Sequence, residues 1–458
     1  MTDTKKKLDV AAEFPAVTTE AWEAVIAKDL KGADYEKKLV WRTEEGFSAR
    51  PYYRGENLAG LQAQLGKRRE KRGWEICEDF QPSESAVRAD LLHEAGATAV
   101  EELGFAIAAG VDRLARLAEK KSPDAAAREI EFVFAASPSY FIEIAKLRAA
   151  RLMWAQAAAA FGAKEPAAAR IVVRTPARNK SVYDRYTNLL RSTTESLSAV
   201  IGGCDALHVE PFGFDSHIAV NIQRILKEEA NIDAVADPAG GSYYIETLTD
   251  SIAREAWKVF QQVEAGGGYS KAKASGFIDN ALTASRETRA KALSSRRKTL
   301  VGVNNYPNLT EKESEMPTQP EGYRLAEPFE KIRQRTIDNA QKARRYPKVL
   351  LLTRGDVKMR GARSNFALNF FGCAAFDVEI SDQYADTDAD LIVLCSSDPE
   401  YLAFAQEVCP KVNIPVLVAG NPKDQLEELA SAGIKGFIHV LSDAAAVLSE
   451  WQDNIGLM

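Results

Sequence analysis

Residues 346–458 constrain the fold most, because five short apolar runs alternate there with segments of helical character. Val349–Leu352, Asp377–Ile380, Leu391–Leu394, Val416–Ala419 and Gly436–His439 read as strands, several of them Val- and Leu-rich. Helices fall between them, for instance Tyr401–Val408 and Asp424–Ala432. Apolar strands joined by helices make a parallel, doubly wound sheet, which takes ligands beyond the carboxyl ends of its strands.

From about residue 74 to 300 a second alternation runs on a longer period. Trp74–Phe80, Ile130–Ala135, Arg170–Arg174 and Ala206–Pro211 read as strands. Between them Leu103, Ile107, Val111, Leu114 and Leu117 recur at helical spacing, as do Ile144, Leu147 and Trp154. Ser137-Pro138 reads as a helix start, a capping hydroxyl followed by proline in the first turn. Such alternation predicts a parallel sheet, open or closed into a barrel. A closed eight-stranded barrel takes about 250 residues. Only four strands are legible here, so a partial barrel is expected.

The flanks are simpler. An amphipathic helix around Trp22–Leu30, ended by Gly32, leads into extended pieces at Leu39–Trp41 and Gly46–Tyr53. This arm is too small for a core of its own and is expected to lie over a neighbour. Pro307, Pro317, Pro320 and Pro328 mark an extended linker, since proline supplies no N–H for a ladder. The expected division is an arm at 1–55, a degenerate (β/α) barrel at 56–303, a linker at 304–345, and a flavodoxin-like domain at 346–458.

Composition excludes some partners. A net charge of -6 offers no basic excess to displace counterions from nucleic acid. The start MTDTKKKLDV has no apolar run behind it, and no stretch of about 18 apolar residues spans a bilayer. A cytoplasmic protein is expected. Cys77, Cys204, Cys373, Cys395 and Cys409 are scattered and never at CxxC spacing, which points to reduced thiols and not to a zinc site. His93, His208, His217 and His439 are the only histidines. Ala265–Tyr269 carries three glycines but lacks a GK[ST] ending, so it reads as a helix break.

Six segments, in order, resemble the methylmalonyl-CoA mutase family. They are W-E-A-V-I-A-K-D-L-K-G (Trp22–Gly32), H-E-A-G-A-T-A-V-E-E-L (His93–Leu103) and I-A-K-L-R-A-A-R-L-M-W-A (Ile144–Ala155). N-L-L-R-S-T-T-E-S-L-S-A-V-I-G-G (Asn188–Gly203), D-P-A-G-G-S-Y-Y-I-E-T-L-T-D (Asp237–Asp250) and V-G-V-N-N-Y (Val301–Tyr306) follow. The terminal domain is similar to the family's cobalamin-binding domain.

The departures from that pattern carry as much information. The resemblance implies a D-x-H-x-x-G loop whose histidine ligates the cobalt of cobalamin from below. Here the first terminal strand runs into G-D-V-K-M-R-G, with Asp356 and Gly361 in place and Lys358 where histidine should stand. A ligand must offer a lone pair, which an ammonium lacks. Deprotonating a lysine of pKa about 10.4 at pH 7 costs roughly 4–5 kcal/mol. Ser396 and Ser397 stand where relatives contact the nucleotide tail of cobalamin, a doubtful role beside Lys358. His439 reads as a structural edge residue. The family's R-T-H-x-Q-T-S-G strand end, which binds the acyl carboxylate, is Arg174-Thr175-Pro176-Ala177-Arg178 here. Its S-L-H-T-N strand end, whose histidine touches the thioester, is Ala206-Leu207-His208-Val209-Glu210. Arg174 and His208 survive as relics, or as a residual anion site. The family's R-G-P-Y-x-T-M-Y loop is replaced by Leu65–Gly73, which has no tyrosine. The interval from Trp74 to Gly96 is far shorter than in the active family.

These readings predict the small, non-catalytic subunit of a heterodimeric mutase. It would bind no cofactor itself, and adenosylcobalamin is expected in a large catalytic partner that interconverts methylmalonyl-CoA and succinyl-CoA. The alternatives are an acyl-CoA or carboxylate binding protein and a self-standing acyl-CoA mutase.

Overall fold

A computed structural model describes residues 14, 16–61, 72–164, 169–312, 322–384 and 387–457. The segment Leu65–Lys71 of the tyrosine-free loop, and Pro317 and Pro320, lie outside the described residues.

The arm forms a helix, Thr19–Asp29, whose N-cap Thr18 accepts from the Ala21 N–H, a short helical turn, Tyr35–Lys38, and then a small antiparallel hairpin. The hairpin pairs β1 (Trp41–Arg42) with β2 (Ser48–Ala49). The helix buries none of its residues against the rest of the chain.

A five-stranded parallel sheet follows: β3 (Glu75–Cys77), β4 (Ala86–Arg88), β5 (Glu131–Ala135), β6 (Arg170–Arg174) and β7 (Ala206–His208), in the order β3-β7-β6-β5-β4. The expectation of four strands is corrected: β4 is the fifth. It is three residues long in a polar stretch, Ser83 to Asp90, so its apolar content gave no signal. The strands alternate between two apolar faces. Val87, Phe132, Phe134, Ile171, Val173 and Leu207 pack under the helices in the main core. Ala86, Val133, Val172 and Ala206 form the opposite face, covered by Phe80. Residues 78–85 leave the carboxyl end of β3 and return to the start of β4 at the far edge of the sheet, which brings Phe80 across that face.

Three long helices cover the main core face. Ala99–Ala118 starts with a reciprocal capping box between Thr98 and Glu101. Tyr140–Ala160 and Tyr243–Ala265 pack beside it, and Trp154 meets Phe132 edge-on at 4.9 Å. The Tyr140 start corrects the expected one at Ser137-Pro138: Ser139 is the N-cap. The Tyr243 helix ends at Gly266, the break read from Ala265–Tyr269.

The proline-marked connection is helical in its second half. Glu327–Ala343 forms a 17-residue helix with Pro328 in its first turn, where the missing N–H costs nothing. Leu293, Leu300, Val303, Leu325 and Phe329 belong to the core cluster of the terminal unit and tie the two halves together.

The terminal sheet contains β8 (Lys348–Thr353), β9 (Asp377–Ser381), β10 (Leu391–Cys395), β11 (Val416–Ala419) and β12 (Ile434–Ile438), all parallel, in the order β12-β11-β10-β8-β9. All five expected strands are present; β12 begins two residues earlier and leaves His439 outside. Winding reverses between β8 and β10, which opens a crevice at their carboxyl ends.

Candidate functional site

Period-two alternation puts Arg88, Arg174 and His208 on the Phe80 side of the first sheet, one step beyond Ala86, Val172 and Ala206. Arg174 and His208 are register partners on β6 and β7, so the two sequence candidates do meet at the strand ends. They are not open to a ligand. Asp90 at the start of the next helix is fully buried and takes a two-pronged bond from Arg88, 2.8 Å on each arm. The same carboxylate lies 3.1 Å from Arg174. Glu210 lies 3.5 Å from Arg174 and 3.5 Å from the His208 Nε2. The His208 hydrogen bond and then the Arg174 charge hold the Glu210 carboxyl below its usual range. His208 donates from Nδ1 to the Cys77 carbonyl at 3.1 Å, since a carbonyl only accepts.

Phe80 closes this cluster. Its ring centre lies 5.0 Å from the Arg88 guanidinium, 5.4 Å from that of Arg174, and 5.5 Å from the His208 ring. Internal carboxylates already meet the cations that would attract an acyl carboxylate, and an aromatic ring covers them. Sequence reasoning missed Asp90, Glu210 and Phe80 as the residues that neutralise and cover the pair. Glu210 stood two residues from His208, and its acidic character was the available signal.

The second cluster sits at the β8–β10 crevice. Asp356 caps the helix Val357–Gly372, its carboxylate accepting from the Met359 N–H at 2.8 Å. Lys358 is exposed on the first turn, and Gly361 lies within the helix. Ser396 and Ser397 follow β10, and the Glu400 carboxylate turns back onto both: 2.6 Å to the Ser396 hydroxyl and 3.3 Å to the Ser397 N–H. These bonds hold the Glu400 carboxyl below its usual range. A Cβ added at Gly355 would overlap the same carboxylate, so Glu400 packs directly against the Gly355 backbone at the crevice. These residues do not fit cobalamin: the lone-pair ligand is replaced by an exposed ammonium, and a carboxylate occupies the switch-point crevice. His439 supplies no substitute. Its Nδ1 accepts from the Leu441 N–H at 3.1 Å, and burial lowers its pKa. Among the described residues no group of three metal-binding side chains occurs, all five cysteines are free, and no helix is long and apolar enough to cross a membrane.

Comparison with known proteins agrees with the motifs. The pattern of the methylmalonyl-CoA mutase family matches residues 81–349. A methylmalonyl-CoA mutase small subunit of Porphyromonas gingivalis is 30% identical over 99% of this chain and 100% of that protein. That alignment runs over 620 positions, more than the 458 residues here, so the relative is the longer protein. The small subunit of Streptomyces virginiae is 34% identical over 83% of this chain and 66% of its own length. A methylmalonyl-CoA mutase of Cereibacter sphaeroides is 38% identical over 47% of the chain and 32% of that protein. A family match across more than half the residues, joined to a relative aligned along nearly the whole chain, settles descent: the chain belongs to the methylmalonyl-CoA mutase family.

Proposed function

We propose that this chain is the small, non-catalytic subunit of a cytoplasmic, heterodimeric, adenosylcobalamin-dependent methylmalonyl-CoA mutase. The large subunit holds the cofactor and isomerises methylmalonyl-CoA and succinyl-CoA. This chain binds no cobalamin and reacts with no substrate. Its first unit is a (β/α) barrel that has lost strands, and its last is a flavodoxin-like domain of the cobalamin-binding type. The relatives named as small subunits support the pairing. The observation that carries the non-catalytic part is self-occupation: both ligand positions of the family pattern are filled by the chain's own side chains, Phe80, Asp90 and Glu210 at one and Glu400 at the other.

Co-expression with the large mutase subunit of the same cell, size exclusion and an activity assay on each fraction form the test. The expected result is a one-to-one complex whose activity survives Lys358→Ala and His208→Ala here. It is lost when the partner's axial histidine is replaced. Separate elution with undiminished activity of the large subunit alone overturns the proposal, as does cobalamin absorbance retained by this chain after dialysis.

A further inference from the structure

A cavity of about 490 Å³ lies apart from both clusters, and none of its lining residues comes from the terminal sheet unit. It opens beside the exposed Leu190 and is walled by the loops after β5 and β6, the N-terminal hairpin and the segment Lys298–Val301.

Its polar chemistry is unbalanced. Arg178 and Arg191, only 5% and 9% exposed, both line it, and neither has a carboxylate within 4.0 Å among the described residues. Arg178 spends one nitrogen, Nη1, on the carbonyls of His93 (2.5 Å) and Ala97 (2.9 Å), which leaves its Nε and Nη2 donors without an acceptor. Arg191 is held by Asn188 at 2.6 Å and by the Val301 carbonyl. Glu45, which also lines the cavity, accepts the Val100 N–H at 2.8 Å and pairs with no cation among the described residues, and burial raises its pKa; the other nearby carboxylates are committed elsewhere. Glu44 serves Arg289 and Lys298, Glu143 serves Lys146, and Glu195 serves Lys180. Burial, and after it the Arg289 charge, pushes Arg178 down to about 10, against the opposing attraction of Glu102, Glu94 and Glu143. A buried cation without a counter-ion is costly, so an anion entering here gains more than it would at the surface. The helix Tyr140–Ala160 also begins at this wall, and its N-cap Ser139 makes no side-chain cap.

Two lining residues need the opposite kind of partner. His93 donates from Nδ1 to the buried Glu102 carboxylate at 3.2 Å, and burial holds its pKa well below the ordinary value. The ring is therefore neutral at pH 7, and its Nε2 is an acceptor with no donor. Asn179 gives its amide N–H to Glu195, and its Oδ1 is likewise unmet. The remaining wall is aliphatic, with Leu190, Leu293, Leu300 and Leu325.

We propose that this cavity is a binding site for a small organic carboxylate that also carries a hydroxyl or N–H donor on an aliphatic body. The carboxylate meets the free Arg178 donors, the donor meets His93 and Asn179, and the chain lies on the leucines. The site stands independently of the subunit assignment.

Calorimetry on the full-length chain tests it with four probes: 2-hydroxyhexanoate, hexanoate, 1,2-hexanediol and inorganic phosphate. The hydroxy acid is expected to bind saturably, hexanoate roughly tenfold more weakly because it leaves acceptors unmet, and the diol and phosphate not at all. Equal binding of the diol, binding of phosphate alone, or no saturable binding of either acid overturns the proposal. Arg178→Gln should weaken the hydroxy acid at least tenfold. Because Arg178 also ties two carbonyls, Leu190→Trp provides the second variant: residue 190 is 69% exposed at the mouth, so the indole blocks entry without touching a buried bond. Loss of binding at an unchanged melting temperature is expected, and full binding by a folded Leu190→Trp protein refutes the site.

Discussion

Lys146→Met is the sharpest test of how this family core has been kept together. Lys146 is fully buried and donates to the Glu102 carboxylate at 2.7 Å and to the Ala135 carbonyl at 2.7 Å, with Glu143 2.6 Å away. Glu102, also fully buried, further accepts the Ala135 N–H at 2.9 Å and the His93 Nδ1–H. Methionine fills the same volume but leaves two buried carboxylates facing each other without a cation. Breaking a buried pair in this way costs about 3–5 kcal/mol. At roughly 2–4 °C per kcal/mol for a unit of this size, the melting temperature should fall on the order of 6–20 °C at pH 8. The loss must depend on pH. Burial already raises the Glu102 pKa above its ordinary 4.5, and losing the Lys146 attraction raises it further. A carboxyl that binds its proton more tightly folded than unfolded adds stability at low pH, and that stability disappears as pH rises through the folded pKa. The deficit of the variant should therefore shrink between pH 8 and pH 5. Urea unfolding followed by circular dichroism at both pH values measures it. A loss under about 1 kcal/mol at pH 8, or one that does not shrink at pH 5, refutes the reasoning.

Three further outcomes follow from contacts in the structure. Lys358→His should leave the chain without cobalamin absorbance after dialysis, because Glu400 still fills the β8–β10 crevice; a bound-cobalamin spectrum in that single variant contradicts the closed-crevice argument. Asp90→Asn removes the carboxylate shared by Arg88 and Arg174, so it should cost about 3–5 kcal/mol and, unlike the parent, regain melting temperature on adding succinate. Gly104→Ala should destabilise despite alanine's helix preference of about 1 kcal/mol, because its Cβ would sit 2.7 Å from Val259 Cβ and 2.8 Å from the Ala256 carbonyl oxygen. Overpacking of about 1–3 kcal/mol outweighs that preference, and a higher melting temperature for the variant shows the helices able to part.

What was legible in the sequence was what local pattern controls. The inner terminal strands could be read because they are buried on both faces and so run apolar without interruption, as in Leu391–Cys395 and Val416–Ala419. Tyr401–Val408 was located to the residue. β4 escaped because Ala86–Arg88 is held by parallel pairing to Glu131–Val133, a long-range term that leaves no periodicity. The connection before the terminal unit misled in the same way. Its prolines suggested an extended chain, yet Pro328 falls in the first helical turn, and Phe329 and Ile332 are drawn into the core.

The candidate site divides along the same line. Arg174 and His208 were found because a motif fixes their position on a strand, and strand register then brings them together. The residues that decide what the pair can do come from elsewhere in the chain: Phe80 from a connection, Asp90 from the next helix, Glu210 from beyond the strand end. Two guanidiniums facing two nearby carboxylates have no electrostatic reason to take up an external acid, whatever their ancestry. At the 490 Å³ cavity the balance is reversed, because the carboxylates present are bound to other cations or, at Glu45, to a backbone N–H, and Arg178 keeps free donors. Retained motif residues are therefore the poorer guide to ligand binding in this chain. The better guide is which buried charges still lack a partner, and by that measure the site to test first is Arg178, four positions beyond the arginine that the resemblance assigns to the acyl carboxylate.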